Sequence, residues 1–276
     1  MKQRILTAVI GIGILIPILL FSHTWFFPVA VAVCSVIALY ELLRCLGLSR
    51  MWGVSVPTYV LAVALPFLVR LVDAAESMRL VALCVVACVL YLMAVSVFQY
   101  EKTSFAQLGE ALLAGLYIVL GFNAIVFLRD LPGGEFLYLL VFIGAWITDT
   151  FAYFSGVLLG KHKLIPKVSP KKTVEGSIGG TLFCILSFLL FGVIMNVGFS
   201  YDVSYPALAI SGLIVALVSQ VGDLCMSVIK RERGIKDYGN LFPGHGGMLD
   251  RFDSILAVAS VLAVICSVTN LMMPTL

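Results

Sequence analysis

The sequence predicts an all-α, polytopic membrane protein with about nine transmembrane helices. Of its 276 residues, 61% are hydrophobic and only 12% are charged, whereas soluble domains average about 45–50% apolar and about 25% charged residues. The apolar runs reach the ~17–25 residues that a helix needs to cross a bilayer, and they lack the short alternating segments of a membrane barrel. Soluble classes are therefore excluded.

Nine hydrophobic runs predict the spans in chain order. They lie at about 5–21, 25–43, 52–69, 80–98, 106–128, 136–158, 176–199, 206–229 and 252–274. The first run follows Lys2 and Arg4, as in a signal peptide, but no small-residue cleavage site follows Phe21, so it is interpreted as a helix. The third contains Pro57 and Pro66, which predict either a kinked span or a re-entrant segment.

The positions of Lys and Arg predict the orientation, because cytoplasmic loops are enriched in them. With a cytoplasmic N-terminus, fifteen of the eighteen fall on the cytoplasmic side, and only Arg70, Arg79 and Arg129 fall outside. Nine spans then place the C-terminus outside. Two polar loops, at 159–175 and 230–250, lie in the cytoplasm.

Four aspartates near the cytoplasmic ends of the later spans are candidate functional residues. A carboxylate at a helix centre in the membrane costs at least ~2.5 kcal/mol, so an unpaired one is rarely retained without a use. Asp149 and Asp223 lie inside spans, and Asp250 and Asp253 share a face at i, i+3 where the last span begins. Two alternatives stay open, since Asp253 also suits the positive end of a helix dipole and Asp149 could pair with a loop lysine.

Other polar groups within the spans are expected to be structural. Glu41 and Glu110 lie near cytoplasmic span ends, where their side chains are expected to snorkel to water. The seven cysteines show neither a zinc spacing nor a disulfide framework, and they are interpreted as small apolar packing residues.

The loop at 160–176 reads GKHKLIPKVSPKKTVEG. Its five lysines could serve membrane topology alone. They are interleaved, however, with Ser169 and Thr173, whose hydroxyls can donate to an anion, and Thr173 is expected to cap the next helix. Free N–H groups at that helix start favour phosphate, so Lys171 and Lys172 are candidate phosphate ligands.

A basic, glycine-rich stretch follows the eighth span. Glycines let backbone N–H groups approach phosphate, although PGHGG alone is a weak indication. His245 by itself would be an ordinary loop histidine. Flanking cations and acids together indicate a polyphosphate bound with a divalent metal, and the residues concerned are Lys230, Arg231, Lys236, His245, Asp250, Arg251 and Asp253.

From Ser227 to Asp253 the chain resembles the phosphatidate cytidylyltransferase family, whose members are also called CDP-diacylglycerol synthases. The family pattern is S-x-aliphatic-K-R, four residues, K-D, a small residue two on, then P-x-H-G-G-x-x-D-R-x-D, and every fixed position is filled. The similarity extends upstream to Asp149, Tyr153, Gly160, Lys161 and S-P-K-K-T-x-E-G at 169–176. It covers roughly the C-terminal half, because residues 1–130 match only in hydropathy.

The resemblance implies that CTP and phosphatidic acid react to give CDP-diacylglycerol and pyrophosphate, a Mg²⁺-dependent nucleotidyl transfer in phospholipid biosynthesis. It leaves room for a second, monovalent cation and for a homodimer, and it gives no role to nucleic acid. The lipid bilayer is the expected surroundings, with the protein multi-pass in the inner (cytoplasmic) membrane and its active site facing the cytoplasm. Residues 1–135 are interpreted as a scaffold and residues 136–276 as the catalytic region of one integrated membrane domain.

The resemblance also implies roles for individual residues. The metal ligands are Asp223 and Asp250, with Asp149 and Asp253 as further candidates. The catalytic residues are Lys230, Arg231, Lys236, His245 and Arg251. The substrate-binding residues are Ser169, Lys171, Lys172, Thr173, Ser227, Gly246 and Gly247. No general base is required, because the attacking phosphate is already anionic.

Two other functions remain open. A CTP-dependent lipid or polyprenol kinase would transfer the γ-phosphate and release CDP instead of pyrophosphate. An ion-coupled transporter would carry acids near the membrane midplane and inverted repeats, whereas these acids favour the cytoplasmic half and no repeat is visible. A CDP-alcohol phosphotransferase is disfavoured, because its D-G-x-x-A-R motif is absent from the sequence.

Overall fold

The structure is a computed structural model, and it describes residue 11 and residues 13–275. Within this part of the chain, eight helices are long and apolar enough to cross a membrane. The predicted all-α polytopic fold is therefore confirmed. The first predicted span, at about 5–21, lies partly outside the described residues, and residues 13–20 are helical.

The helices and strands follow one another along the chain with short connections, except for the loop of residues 233–248 between α8 and α9. They are α1 (Phe26–Leu46), α2 (Trp52–Leu71), α3 (Ala74–Phe98), α4 (Phe105–Asp130), α5 (Gly134–Leu137), α6 (Leu139–Leu159), β1 (Lys163–Ile165), β2 (Ser169–Thr173), α7 (Val174–Phe199), β3 (Tyr201–Val203), α8 (Tyr205–Glu232), α9 (Leu249–Val268) and β4 (Met272–Pro274). The short helix α5 leads into α6, and the two form one span. β1 pairs antiparallel with β2, and β3 with β4.

The described chain divides into two compact units. The first contains the residues up to Phe127 together with Arg233–Phe252, and the second contains Leu128–Glu232 together with the residues from Asp253 onward. In the first unit α1 packs on α2 and α2 on α3, and in the second α6 packs on α7 and α8. The division of the chain into scaffold and catalytic region concerns function and stays a prediction.

Helix α2 runs without interruption through both of its prolines and is long and apolar enough to cross a membrane, which favours a span over the re-entrant alternative. Proline lacks an N–H group, and Pro57 therefore leaves the carbonyl of Gly53 without its helical donor. The hydroxyl of Tyr91 donates to this carbonyl at 2.6 Å. A neighbouring helix thus replaces the missing hydrogen bond, as a membrane interior requires.

The last predicted span differs from the structure at its end. It was expected to continue to about residue 274, but α9 ends at Val268, and Met272–Pro274 forms β4 opposite Tyr201–Val203. Met272 is buried, so its apolar side chain contributes to packing beside the β3–β4 pair.

Tyr201, in strand β3, donates a hydrogen bond to Glu135 at 2.6 Å. Burial together with this carboxylate raises the pKa of Tyr201 to about 12.

Candidate active site

Three carboxylates of the second unit form a cluster, which consists of Asp149 on α6, Asp223 on α8 and Asp253 on α9. Asp223 acts electrostatically on both of the others. Ser254 donates to Asp149 at 3.4 Å. Lys172 forms an ion pair with Asp223, and its charge also acts on Asp149.

Strand β2 separates the two adjacent lysines of the SPKKT segment. Side chains alternate between the faces of a strand, and here Lys171 is exposed whereas Lys172 is half-buried and contacts Asp223. Thr173 ends the strand and is the N-cap of α7, where its hydroxyl accepts from the N–H of Gly176 at 3.1 Å. The predicted helix cap is confirmed. The strand therefore aims one lysine at the carboxylate cluster and leaves the other outside.

Helix α8 adds a second cation to this cluster. Lys230 is only 8% exposed, and its charge acts on Asp253. Ser227 and Lys230 follow Asp223 at i+4 and i+7, so all three share one helical face. The cluster thus joins acids with lysines, an arrangement that suits a ligand carrying both phosphate and metal.

The carboxylates of this cluster fit a Mg²⁺ ion that shares its ligands with water and substrate, and they do not fit one that is enclosed by protein ligands alone. Among the described residues, no three His, Cys, Asp or Glu side chains converge into a ready-made metal cage. Mg²⁺ usually binds through one or two carboxylates, retained waters and substrate phosphates. The hard oxygens of Asp223 and its neighbours fit an ion bound in that way together with a nucleotide.

The glycine-rich loop of the first unit encloses a polar cleft of about 440 Å³, which we call the loop cleft. A tight turn shapes it, because the N–H of His245 donates to the carbonyl of Phe242 at 2.8 Å. Gly244 adopts φ 80°, which type II turns require at their third position. The loop cleft is lined by Lys236, Asp237, Asn240, Gly244, His245, Gly246 and Arg251. Its volume is within the usual range for ligand sites.

Asp250 organises the backbone around the loop cleft. Its Oδ2 atom accepts from the N–H of Tyr238 at 2.8 Å and from the N–H of Gly247 at 2.9 Å. Arg44 donates to the carbonyl of the same Tyr238 at 2.8 Å. The structure thus gives Asp250 a clear role in shaping the loop, and its predicted metal role stays a prediction.

Glu41 corrects one sequence-based expectation. Its side chain does not reach water, because it is only 5% exposed and accepts from the N–H groups of Met248 at 3.0 Å and Leu249 at 2.8 Å. Glu110, by contrast, is part-exposed and pairs with Arg233 at 2.5 Å. No local pattern indicates the Glu41 contacts, since 207 residues separate Glu41 from Met248.

His162 and Glu175 are a further pair that the sequence analysis missed. His162 Nδ1 lies 2.6 Å from a carboxylate oxygen of Glu175, which also accepts from the His162 backbone. This contact links the start of the β1–β2 hairpin to the first turn of α7 by hydrogen bonds. The two residues are thirteen positions apart, and the sequence does not indicate that they are in contact, because the contact depends on the hairpin between them.

The predicted site residues divide between the two units. The second unit contains Asp149, Ser169, Lys171, Lys172, Thr173, Asp223, Ser227, Lys230, Arg231 and Asp253, and the first contains Lys236, His245, Gly246, Gly247, Asp250 and Arg251. Ser169 begins β2 and Arg231 lies in the last turn of α8. Asp223 and Asp250 belong to different units, so their predicted joint metal site stays a prediction.

The sequence matches the Cytidylyltransferase family over residues 2–269. The chain belongs to this family. Proteins called phosphatidate cytidylyltransferase are similar to this cytidylyltransferase over 266 residues, which is 96% of this chain and 98% of each relative. The identity is 36% for the relative from Staphylococcus aureus strain COL, 35% for that from Staphylococcus haemolyticus strain JCSC1435, and 33% for that from Staphylococcus epidermidis strain RP62A. The family inferred from the C-terminal motif is thereby confirmed, and the match extends well beyond the half that carries it.

Proposed function

We propose that this cytidylyltransferase joins CTP and phosphatidic acid to give CDP-diacylglycerol and pyrophosphate. The observation that carries the proposal is the loop cleft, where Lys236, His245 and Arg251 of the family motif line one polar cleft of ligand size. The names of the staphylococcal relatives support the same reaction. Membership of the Cytidylyltransferase family speaks against the transporter alternative.

The chemistry explains why cations surround this cleft. An oxygen of the lipid phosphate attacks the α-phosphorus of CTP, the bond from that phosphorus to the bridging oxygen breaks, and pyrophosphate leaves. Both reactants are anions, so their repulsion must be offset before they meet. Lys236 and Arg251 bind the triphosphate through charge-assisted hydrogen bonds, and the N–H groups of Gly244 and Gly246 in the PGHGG turn add partial positive charge. Stabilising charge in this way is the largest part of such catalysis.

The carboxylate cluster supplies the proposed metal site. Asp223, with Asp149 or Asp253 as a further ligand, would hold Mg²⁺, which when bound neutralises phosphate oxygens and the leaving pyrophosphate. Lys172 and Lys230 balance the carboxylates and are placed to bind phosphate. Ser227 and Thr173 offer hydroxyls, and Lys171 offers an exposed ammonium to lipid phosphate. The second, monovalent cation that the resemblance allows stays a prediction.

We place the enzyme in the cytoplasmic membrane with its active site facing the cytoplasm. The support is the bias of fifteen of eighteen Lys and Arg residues toward one side, where CTP is available. The homodimer that the resemblance allows stays a prediction.

A product assay tests the proposal. Purified protein in phosphatidic acid vesicles with Mg²⁺ and radiolabelled CTP should form labelled lipid and pyrophosphate in equal amounts. Vesicles of phosphatidylcholine alone are the control and should give neither product. Release of CDP in place of pyrophosphate would show a kinase and overturn the proposal.

A further inference from the structure

Glu41 lies where helix α1 meets the start of α9. The first N–H groups of a helix have no partner within the helix, and each oxygen of Glu41 accepts from one of them, Oε1 from Met248 and Oε2 from Leu249. Both oxygens of the carboxylate are therefore used. A buried side chain of α1 fixes the point at which the motif loop becomes a helix.

Two glycines of the motif make room for this carboxylate. A Cβ atom built on Gly239 or on Gly247 would run into the oxygens of Glu41. The two glycines flank the segment that forms most of the loop cleft. Their small size is thus needed for the approach of Glu41, in addition to any contact that the loop makes with phosphate.

A second residue of the same helix acts on the same loop. Arg44 lies one turn after Glu41 and donates to the carbonyl of Tyr238 at 2.8 Å, whereas Asp250 accepts from the N–H of Tyr238. Tyr238 is 1% exposed. The peptide groups at both ends of the cleft-forming segment are therefore held from α1 and from the start of α9.

We propose that Glu41 is a positioning residue for nucleotide binding. It sets the position of the loop that carries Lys236, His245 and Arg251, and helix α1 of the N-terminal half thereby takes part in building the nucleotide site. This inference rests on the proposed function, because it assigns the loop cleft to CTP.

The sharpest test is Glu41→Gln, since glutamine has nearly the same shape but only one acceptor oxygen. Its NH₂ group would face a backbone N–H, so one of the two contacts is lost and replaced by repulsion. We expect the KM for CTP, and the dissociation constant for CTP measured directly by calorimetry, to rise about tenfold or more. The KM for phosphatidic acid should stay within about twofold. Glu110→Gln is the matched control, because Glu110 is part-exposed and makes its ion pair with Arg233.

A second variant approaches the same contact from the loop. Gly239→Ala pushes a methyl group against the Glu41 carboxylate and should raise the KM for CTP in the same way. Combining it with Glu41→Gln should raise the KM for CTP little further, because both changes disturb the same contact between Glu41 and the loop. Gly109→Ala is the control in the same unit, since a Cβ there meets nothing within 4 Å.

The outcomes separate the inference from the proposed function. If wild-type protein forms no lipid product from CTP and phosphatidic acid, the proposed function fails. If wild-type protein is active and folded Glu41→Gln binds CTP within twofold of it, the inference is wrong. If Glu41→Gln does not fold, Gly239→Ala decides alone, and CTP binding within twofold of wild type overturns the inference.

Discussion

Lys172 offers a sharp test of the carboxylate cluster, because its neighbours in the loop provide matched controls. Its ammonium pairs with Asp223, and the two side chains are only 25% and 26% exposed. Lys172→Ala removes this cation and leaves the carboxylate of Asp223 without its ion-pair partner. Lys167→Ala removes the same charge from an exposed position in the same loop.

The expected magnitude follows from the environment of the pair. Two unit charges 4 Å apart attract by about 4 kcal/mol at an effective dielectric constant near 20, and desolvation offsets part of this. A hydrogen bond to a charged group contributes about 1.5–3 kcal/mol net, so kcat/KM should fall about 10–150-fold in Lys172→Ala. Lys171→Ala should lose less, because its side chain lies on the exposed face of the strand.

The same variant should also change the metal requirement, in the opposite sense. Lys172 and Mg²⁺ compete for the carboxylate of Asp223, so removing the lysine should lower the Mg²⁺ concentration that gives half-maximal rate. Steady-state kinetics on purified protein, with Mg²⁺ titrated at fixed CTP, measure both effects. Equal activity of the Lys172→Ala and Lys167→Ala proteins would refute the reasoning and leave the lysines a role in topology alone.

Three further predictions follow from other parts of the structure. Thr173→Ala removes the cap of α7, which costs about 1 kcal/mol and should lower Tm by about 2–4 °C, whereas Thr173→Ser should not; equal melting curves would contradict the cap. Asp250→Asn keeps an acceptor oxygen for Tyr238 and Gly247 but loses the charge, whereas Asp250→Ala loses both. We expect both variants to lose activity by orders of magnitude but only Asp250→Ala to lose stability, and an active Asp250→Asn at limiting Mg²⁺ would remove the metal role. Single cysteines at positions 165 and 240 of a cysteine-free protein should react with impermeant thiol reagents only from the cytoplasmic side, and labelling from outside intact cells would overturn the orientation.

Hydropathy predicts the existence of the spans better than their ends. A run of apolar residues has to be helical inside a bilayer, because every backbone group must bond within its own segment. The polar first turn of α3 escapes such a search, since the helix begins at Ala74, where Asp73 accepts from the N–H of Glu76 at 2.8 Å. The predicted last span runs on to residue 274 for the converse reason, because Met272 and Met273 are apolar although they lie in a short strand of which only Met272 is buried.

The candidate site was predictable in its composition but not in its partnerships. Charge and glycine content mark the motif loop, and the loop cleft contains the predicted Lys236, His245 and Arg251. The role of Glu41 depends on a contact across 207 residues of sequence, and one sequence contains no sign of it. The different positions of Lys171 and Lys172 follow from strand β2, which lies in a segment that the sequence identifies only as a loop.

The central claim is that the α-phosphate of CTP becomes joined to the lipid. The most direct measurement compares CTP labelled at the α-phosphate with CTP labelled at the γ-phosphate, each incubated with purified protein and phosphatidic acid vesicles. Our account predicts that the α-label appears in the lipid product and that the γ-label appears only in pyrophosphate. Transfer of the γ-label to lipid, with release of CDP, would contradict it.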